Sequence, residues 1–197
     1  KNNSKTAAPA ELTWIGEETF VHVSNEGAPS YIEVNKPQVD LESVPMDKDG
    51  YYVLFDGTSL NGWRTYGRDT LTARWSIDDG CIKFAGSGTG EGQTGEGGDI
   101  IFAHKFKNFE LQMEWKVEKG GNSGIFYLGQ EIKTVDDNGS ERFEPIYVSC
   151  PEYQLLDNAN HPDALLGVDG NRQSASLYDM IPAKPQNQNP YEQWNTT

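Results

Sequence analysis

Phe109-Glu-Leu-Gln-Met-Glu-Trp-Lys-Val117 carries an apolar side chain at every odd position and a polar one at every even position. Successive side chains of a strand point to opposite faces, so this alternation predicts a strand with one face in a core and the other in water. Shorter β-like runs surround it: Tyr51-Tyr-Val-Leu-Phe55, Trp75-Ser-Ile77, Cys81-Ile-Lys-Phe84, Ile125-Phe-Tyr-Leu128 and Ile146-Tyr-Val-Ser-Cys150, the last leading into Glu152-Tyr-Gln-Leu-Leu-Asp157. Between the second and third, Asp79-Gly80 tolerates the positive φ of a tight hairpin. No stretch sustains a 3.6-residue period. Strands without helices must cover one another, which predicts an all-β chain of two packed antiparallel sheets.

Composition agrees. The chain has 197 residues with 36% hydrophobic, 11% aromatic, 21 Gly and 10 Pro, a mix suited to many short strands and turns. With 16 Lys+Arg against 30 Asp+Glu, the net charge of −14 excludes nucleic acid and anionic membrane surfaces as natural partners. No apolar run is long enough to span a bilayer. Cys81 and Cys150 each sit in an apolar run without zinc-ligand spacing, and are expected to be buried thiols. The polar, small-residue opening Lys1–Glu11 resembles the stretch that follows a removed export signal, so a secreted, periplasmic or cell-surface protein is expected.

Turn and strand signals divide the chain at about residue 48. Residues 1–48 form a leader with two β-like pieces, Thr19-Phe-Val-His-Val23 and Tyr31-Ile-Glu-Val34, expected to pack as edge strands on a main domain at 49–197. Beyond Asp157 the chain becomes polar and irregular, through a Pro/Asn/Gln-rich tract at Pro182–Pro190. A sandwich normally closes on strands that protect its edges, so this ending predicts that C-terminal strands are missing or come from a second polypeptide.

Several polar motifs interrupt the strands. The Gly-rich stretch Gly86–Gly98 lacks the Lys and the following helix of a phosphate-binding loop and contains glutamates, so it reads as a flexible loop, with a lid over a neutral substrate as the alternative. Gly120-Gly-Asn-Ser-Gly124 is either a plain hairpin turn or a place where Asn122 and Ser123 meet sugar hydroxyls. In Glu152–Asp157, period two puts Glu152, Gln154 and Leu156 on one face and Tyr153, Leu155 and Asp157 on the other. Glu152 and Gln154 together either face water or form the polar floor of a ligand groove. His161 follows on a polar loop, as a structural or solvated residue or as a proton-transfer group or metal ligand. Trp194, in a polar tract, suits stacking on a pyranose, whereas Trp115 shares the apolar parity of its strand.

Taken in order, Val53-Leu-Phe-Asp-Gly-Thr-Ser-Leu-Asn-Gly-Trp63, Phe109–Trp115, Gly121-Asn-Ser-Gly-Ile125, Glu152–Asp157, Leu177-Tyr178 and Glu192-Gln-Trp-Asn195 resemble the 3-keto-disaccharide hydrolase domain family over about Tyr51 to Asn195. The resemblance implies a concanavalin A-like jelly-roll sandwich, exported by glycan-degrading Bacteroidetes, and a carbohydrate substrate of the 3-keto-glycoside type. It places Glu152, Gln154, Asp157, Asn122, Ser123, Tyr178, Trp194 and Asn195 along a concave cleft.

A ketone at C3 acidifies the C2 hydrogen, so a base can form an enolate that expels the C1 substituent, after which water adds. Such chemistry needs a base, Glu152 or His161, and an electrophile for the enolate oxygen: donors such as Gln154 and Asn122, or a divalent cation held by Glu152, Asp157 and His161. The rival readings are a retaining glycosidase, which needs two carboxylates about 5 Å apart, and a non-catalytic glycan-binding module. Glu152 and Asp157, on opposite faces of a regular strand, make a poor carboxylate pair.

Overall fold

A computed structural model of the chain describes residues 12–14, 20–22, 30–34, 36, 38–86 and 98–197. The opening Lys1–Glu11, the spacer Asn25–Pro29 and the body of the Gly-rich stretch, 87–97, lie outside the described residues. Every extended pairing is antiparallel and the described residues contain no α-helix, only three short 3-10 turns. The all-β expectation therefore holds. Among the described residues the ladders are short: one sheet of five strands and four of two strands. Glycines with positive φ punctuate them, Gly120 just before one strand and Gly139 within the turn between two others.

The chain divides into two compact units. The first comprises residues 1–105 and 130–146. Its large sheet takes β1 (Leu12–Trp14), β2 (Phe20–His22), β3 (Ser30–Glu33), β10 (Ile132–Val135) and β11 (Glu141–Phe143) in that spatial order. The leader thus supplies three strands. β3 pairs with β10 in the register Ile132↔Glu33 to Val135↔Ser30 and is interior, leaving β1 at the edge.

The predicted hairpin is present. β5 (Trp75–Asp78) returns as β6 (Cys81–Phe84) across Asp79 and Gly80, whose φ values of 49° and 70° are those of a two-residue turn matched to strand twist. β4 (Trp63–Thr65) pairs with β7 (Ile100–Phe102), bringing the Trp63 and Phe102 rings edge to face at 5.5 Å. The Val53–Trp63 motif is structural here. The Trp63 indole donates to Leu54 O at 2.7 Å, and a Cβ on Gly62 would come 2.9 Å from the Phe102 ring. Both cysteines are half-buried rather than buried and form no disulfide.

An ion pair anchors this unit. Arg64, 5% exposed, donates through both terminal nitrogens to Glu131, at 2.7 and 2.6 Å, and Glu131 also accepts the Gly67 N–H at 2.7 Å. Removing one partner leaves the other charge buried. Arg64→Met is expected to lower stability by about 3–5 kcal/mol, and the Arg64→Met/Glu131→Met double variant by much less, read from denaturant midpoints.

The second unit comprises residues 106–129 and 147–197. Its first pair joins β8 (Glu114–Trp115) to β13 (Asn195–Thr196), extended by reciprocal main-chain bonds between Met113 and Thr197 at 2.9 Å. The alternation seen in the sequence governs burial from Met113 to Val117, with Trp115 buried and Glu114 and Lys116 exposed. At Phe109 and Leu111 it does not: both side chains are exposed, and both residues lie before the start of β8. The second pair, β9 (Asn122–Phe126) with β12 (Glu152–Leu156), carries most of the candidate site.

Candidate active site

Register decides which side chains meet. β12 opposes β9 with Glu152↔Phe126, Gln154↔Gly124 and Leu156↔Asn122, and directly opposed residues share a face. Glu152, Gln154 and Asn122 therefore lie on one face around Gly124. Ser123, opposite Leu155, points to the other face, with Tyr153 and Ile125. Asn122 and Ser123 thus separate, although both were expected in one cleft.

The Glu152 side chain folds across Gly124. A Cβ built on this glycine would stand 2.6 Å from Glu152 Cδ and 2.7 Å from Cγ, so the carboxylate occupies the space that any other residue's side chain would take. Glu152 is half-buried, and its main-chain oxygen accepts the Tyr178 N–H at 2.9 Å. Gln154, 1% exposed, lies behind it, its side-chain oxygen accepting the Leu155 N–H at 2.9 Å. In this arrangement Gln154 shapes the strand, and Asn122 is the exposed amide of the face.

Asp157 has a different task from the one expected. Its carboxylate accepts the N–H groups of Gly120 and Ala159, at 2.8 and 3.1 Å, and the Asn160 amide at 2.7 Å, tying the turn after β12 to the turn before β9. Burial alone pushes this carboxyl up, but the donated hydrogen bonds outweigh it and hold the group below the usual carboxylate range. A depressed pKa means that the ionised form stabilises the fold above about pH 4 and that this contribution fades as pH falls through the folded-state value. Asp157→Ala is expected to cost about 2–3 kcal/mol at neutral pH. Urea midpoints of Asp157→Asn should fall less steeply below pH 4 than those of the wild type.

His161 caps the 3-10 turn Pro162–Leu165, its Nδ1 accepting the Asp163 N–H at 3.2 Å, and its own N–H donates to Asp157 O at 2.9 Å. Beside it stands a cluster of which sequence reading named only Tyr178. Arg172 bridges Asp163, at 3.1 Å, and Asp179, at 2.9 Å, while the Tyr178 hydroxyl donates to the second Asp163 oxygen at 2.8 Å. Burial, then the hydrogen bond to the Asp163 carboxylate, push the Tyr178 phenol up to about 12, so it remains a protonated donor at neutral pH. Hydrogen bonding to Arg172 holds Asp179 below its ordinary value.

The cation set Glu152, Asp157 and His161 is not assembled. Asp157 is spent on turn donors and the Nδ1 of His161 on its cap, and among the described residues no group of three His, Cys, Asp or Glu side chains converges to hold an ion.

Asn195 belongs to the other pair of strands, and Trp194 immediately precedes it. Trp194 is 44% exposed, with Lys116 Nζ 4.8 Å from its ring centroid. Asn195, opposite Trp115, is buried and accepts the Asn189 N–H at 2.8 Å. It borders a polar hollow of about 220 Å³ with Trp115, Tyr153, Gln186, Gln188 and Thr197. Tyr153 projects from the face of β12 opposite to Glu152, so this hollow and the Glu152 face are separate features.

Residues 50–197 match the 3-keto-alpha-glucoside-1,2-lyase-like domain family. The chain belongs to that family. A 3-keto-disaccharide hydrolase of Bacteroides thetaiotaomicron is 63% identical over 173 residues, covering 87% of this chain and 60% of the relative. A crystal structure from Parabacteroides distasonis, provisionally named a glycosyl hydrolase, superimposes with a TM-score of 0.57 at 26% identity, over 75% of this chain and 62% of that one. The chain thus spans about 60% of the length of these relatives. Both findings agree with the sandwich class expected of the 3-keto-glucoside lyase-like domain. In this chain the Gly121-Asn-Ser-Gly124 turn acquires a physical reason from the seat that Gly124 gives Glu152.

Proposed function

We propose that this chain cleaves 3-keto-glycosides, 3-keto-disaccharides among them, by elimination and hydration. Glu152 removes the C2 proton, and the electron pair delocalises onto the C3 oxygen as an enolate. The enolate collapses to a C1=C2 double bond and expels the C1 alkoxide, which takes up a proton. Water then adds at C1 while C2 regains a proton, for net hydrolysis. The observation that carries this reading is the half-buried Glu152 carboxylate laid over Gly124 on the face that also holds Asn122. Family membership and the name of the Bacteroides relative support the substrate class.

The two-carboxylate glycosidase loses its second acid, because Asp157 is committed to three donors around the turn. Incubation with a plain and a 3-keto disaccharide separates the alternatives. Cleavage of the keto sugar alone is expected. Cleavage of the plain sugar would favour an ordinary glycosidase, and binding without turnover a glycan-binding module.

A further inference from the structure

Strand β12 has a second neighbour. Tyr153 and Leu177 pair antiparallel, and around them Gln154 donates its N–H to Ser176 O at 3.1 Å, while Ala175 and Tyr178 donate theirs to Gln154 O and Glu152 O at 2.8 and 2.9 Å. Gln154 thus faces two residues, Ala175 and Ser176, and the φ of 64° at Ala175 marks a bulge in the 175–178 segment. On the side of β9, the Tyr127 N–H donates to Pro151 O at 3.4 Å, and in an antiparallel ladder such bonded pairs alternate with unbonded ones. Glu152, opposite Phe126 and one residue along from that bond, therefore turns its main-chain groups away from β9 and toward residue 178. The backbone path at Glu152 depends on where Tyr178 is held.

Arg172 holds it. Its Nε and Nη2 donate to the two oxygens of Asp179, each at 2.9 Å, and its Nη1 donates to Asp163 at 3.1 Å. The guanidinium carbon lies 5.4 Å from the centre of the Tyr178 ring, and the other Asp163 oxygen accepts the Tyr178 hydroxyl at 2.8 Å. One guanidinium therefore ties Tyr178 at both ends, its main chain through the neighbouring Asp179 and its side chain through Asp163. A planar fork that serves two carboxylates is a property of arginine, which a lysine ammonium does not reproduce. Asp179 is about half exposed, and exposed ion pairs contribute little to global stability, so the effect of this cluster is local.

We propose that Arg172 is a positioning residue: by clamping Asp163 and Asp179 it fixes Tyr178, and through the Tyr178 N–H it fixes the part of β12 from which the Glu152 carboxylate projects. The proposal rests on the reading of Glu152 as the base for its kinetic consequence, and on the contacts alone for its structural one.

Arg172→Lys keeps the charge and removes the fork, and amide hydrogen exchange followed by NMR reads the clamp without substrate. Exchange at Tyr178 should quicken about 10-fold or more, while Ile125 and Tyr153, paired across β9 and β12, keep their protection. An unchanged Tyr178 amide would overturn the proposal, and so would equal quickening of all three, which marks a merely stabilising role.

The second arm is kinetic. On a 3-keto disaccharide, kcat of Arg172→Lys should fall about 10–10²-fold with KM little changed, since the displaced group is one that acts in the transition state. In a Glu152→Gln background the same substitution should add no more than about twofold, because its effect passes through the lost carboxylate. Unchanged kcat, or a full second loss in that background, contradicts the assignment. If the wild type cleaves no 3-keto sugar, the reading of Glu152 as the base falls and the kinetic role with it, whereas the exchange at Tyr178 still decides whether Arg172 fixes the main chain at Glu152.

Discussion

Glu152→Gln is expected to lower kcat on a 3-keto disaccharide by about 10²–10⁴-fold, the usual contribution of a positioned general base. Glutamine keeps the length and shape that lie across Gly124, and the position is half-buried, so the strand pairing of β12 with β9 should be undisturbed. The loss should appear in kcat more than in KM, because the carboxylate acts on the C2 proton as it leaves rather than on the bound ground state. Steady-state kinetics beside a thermal melt check both halves. Full turnover by Glu152→Gln would remove this residue from the mechanism.

Gly124→Ala should have an effect of similar size through a residue that carries no chemistry of its own. An added Cβ would enter the space of the Glu152 side chain, with 2.6 Å to Cδ. The obstacle is a flexible side chain rather than backbone, and Gly124 does not have a positive φ, so the fold can absorb the change by swinging the carboxylate aside. Melting should shift by only a few degrees. Turnover should fall about 10²-fold or more, since misplacing a reacting group by about an ångström has that effect. Gly124→Ala would then resemble Glu152→Gln kinetically, and combining the two should add little, as expected of residues that act as a unit. An additive loss would show that Gly124 acts by another route.

Local patterns were legible in the sequence; features set by pairing partners were not. Alternation predicted the buried Trp115 between half-buried Met113 and Val117, and Asp79-Gly80 predicted its hairpin, because both depend on neighbours along the chain. Phe109 and Leu111 kept the alternation without the burial, since periodicity along a chain does not say what covers each face. Parity within β12 correctly put Glu152 and Gln154 on one face. It said nothing of Ser123, whose face follows from the residue of the Gly120–Gly124 turn at which pairing with β12 starts.

Asp157 looked like a ligand because carboxylates so often are. Its actual partners are main-chain N–H groups, which leave no mark in a sequence. The meeting of Arg172, Asp163 and Tyr178 was hidden for a related reason: they lie on irregular chain without periodicity and come together only once that chain folds back along β12. The interior position of β3 depended likewise on a distant partner, β10.

The central claim is that the C2 hydrogen leaves and returns during cleavage, and solvent deuterium tests it most directly. A 3-keto disaccharide is cleaved in D₂O, and the released 3-keto sugar is sampled within the first turnovers against an enzyme-free control of the same sugar. Elimination followed by hydration predicts one deuterium at C2 for each bond cleaved, with both cleavage and labelling suppressed together in Glu152→Gln. Cleavage that leaves the original hydrogen at C2 would contradict the account.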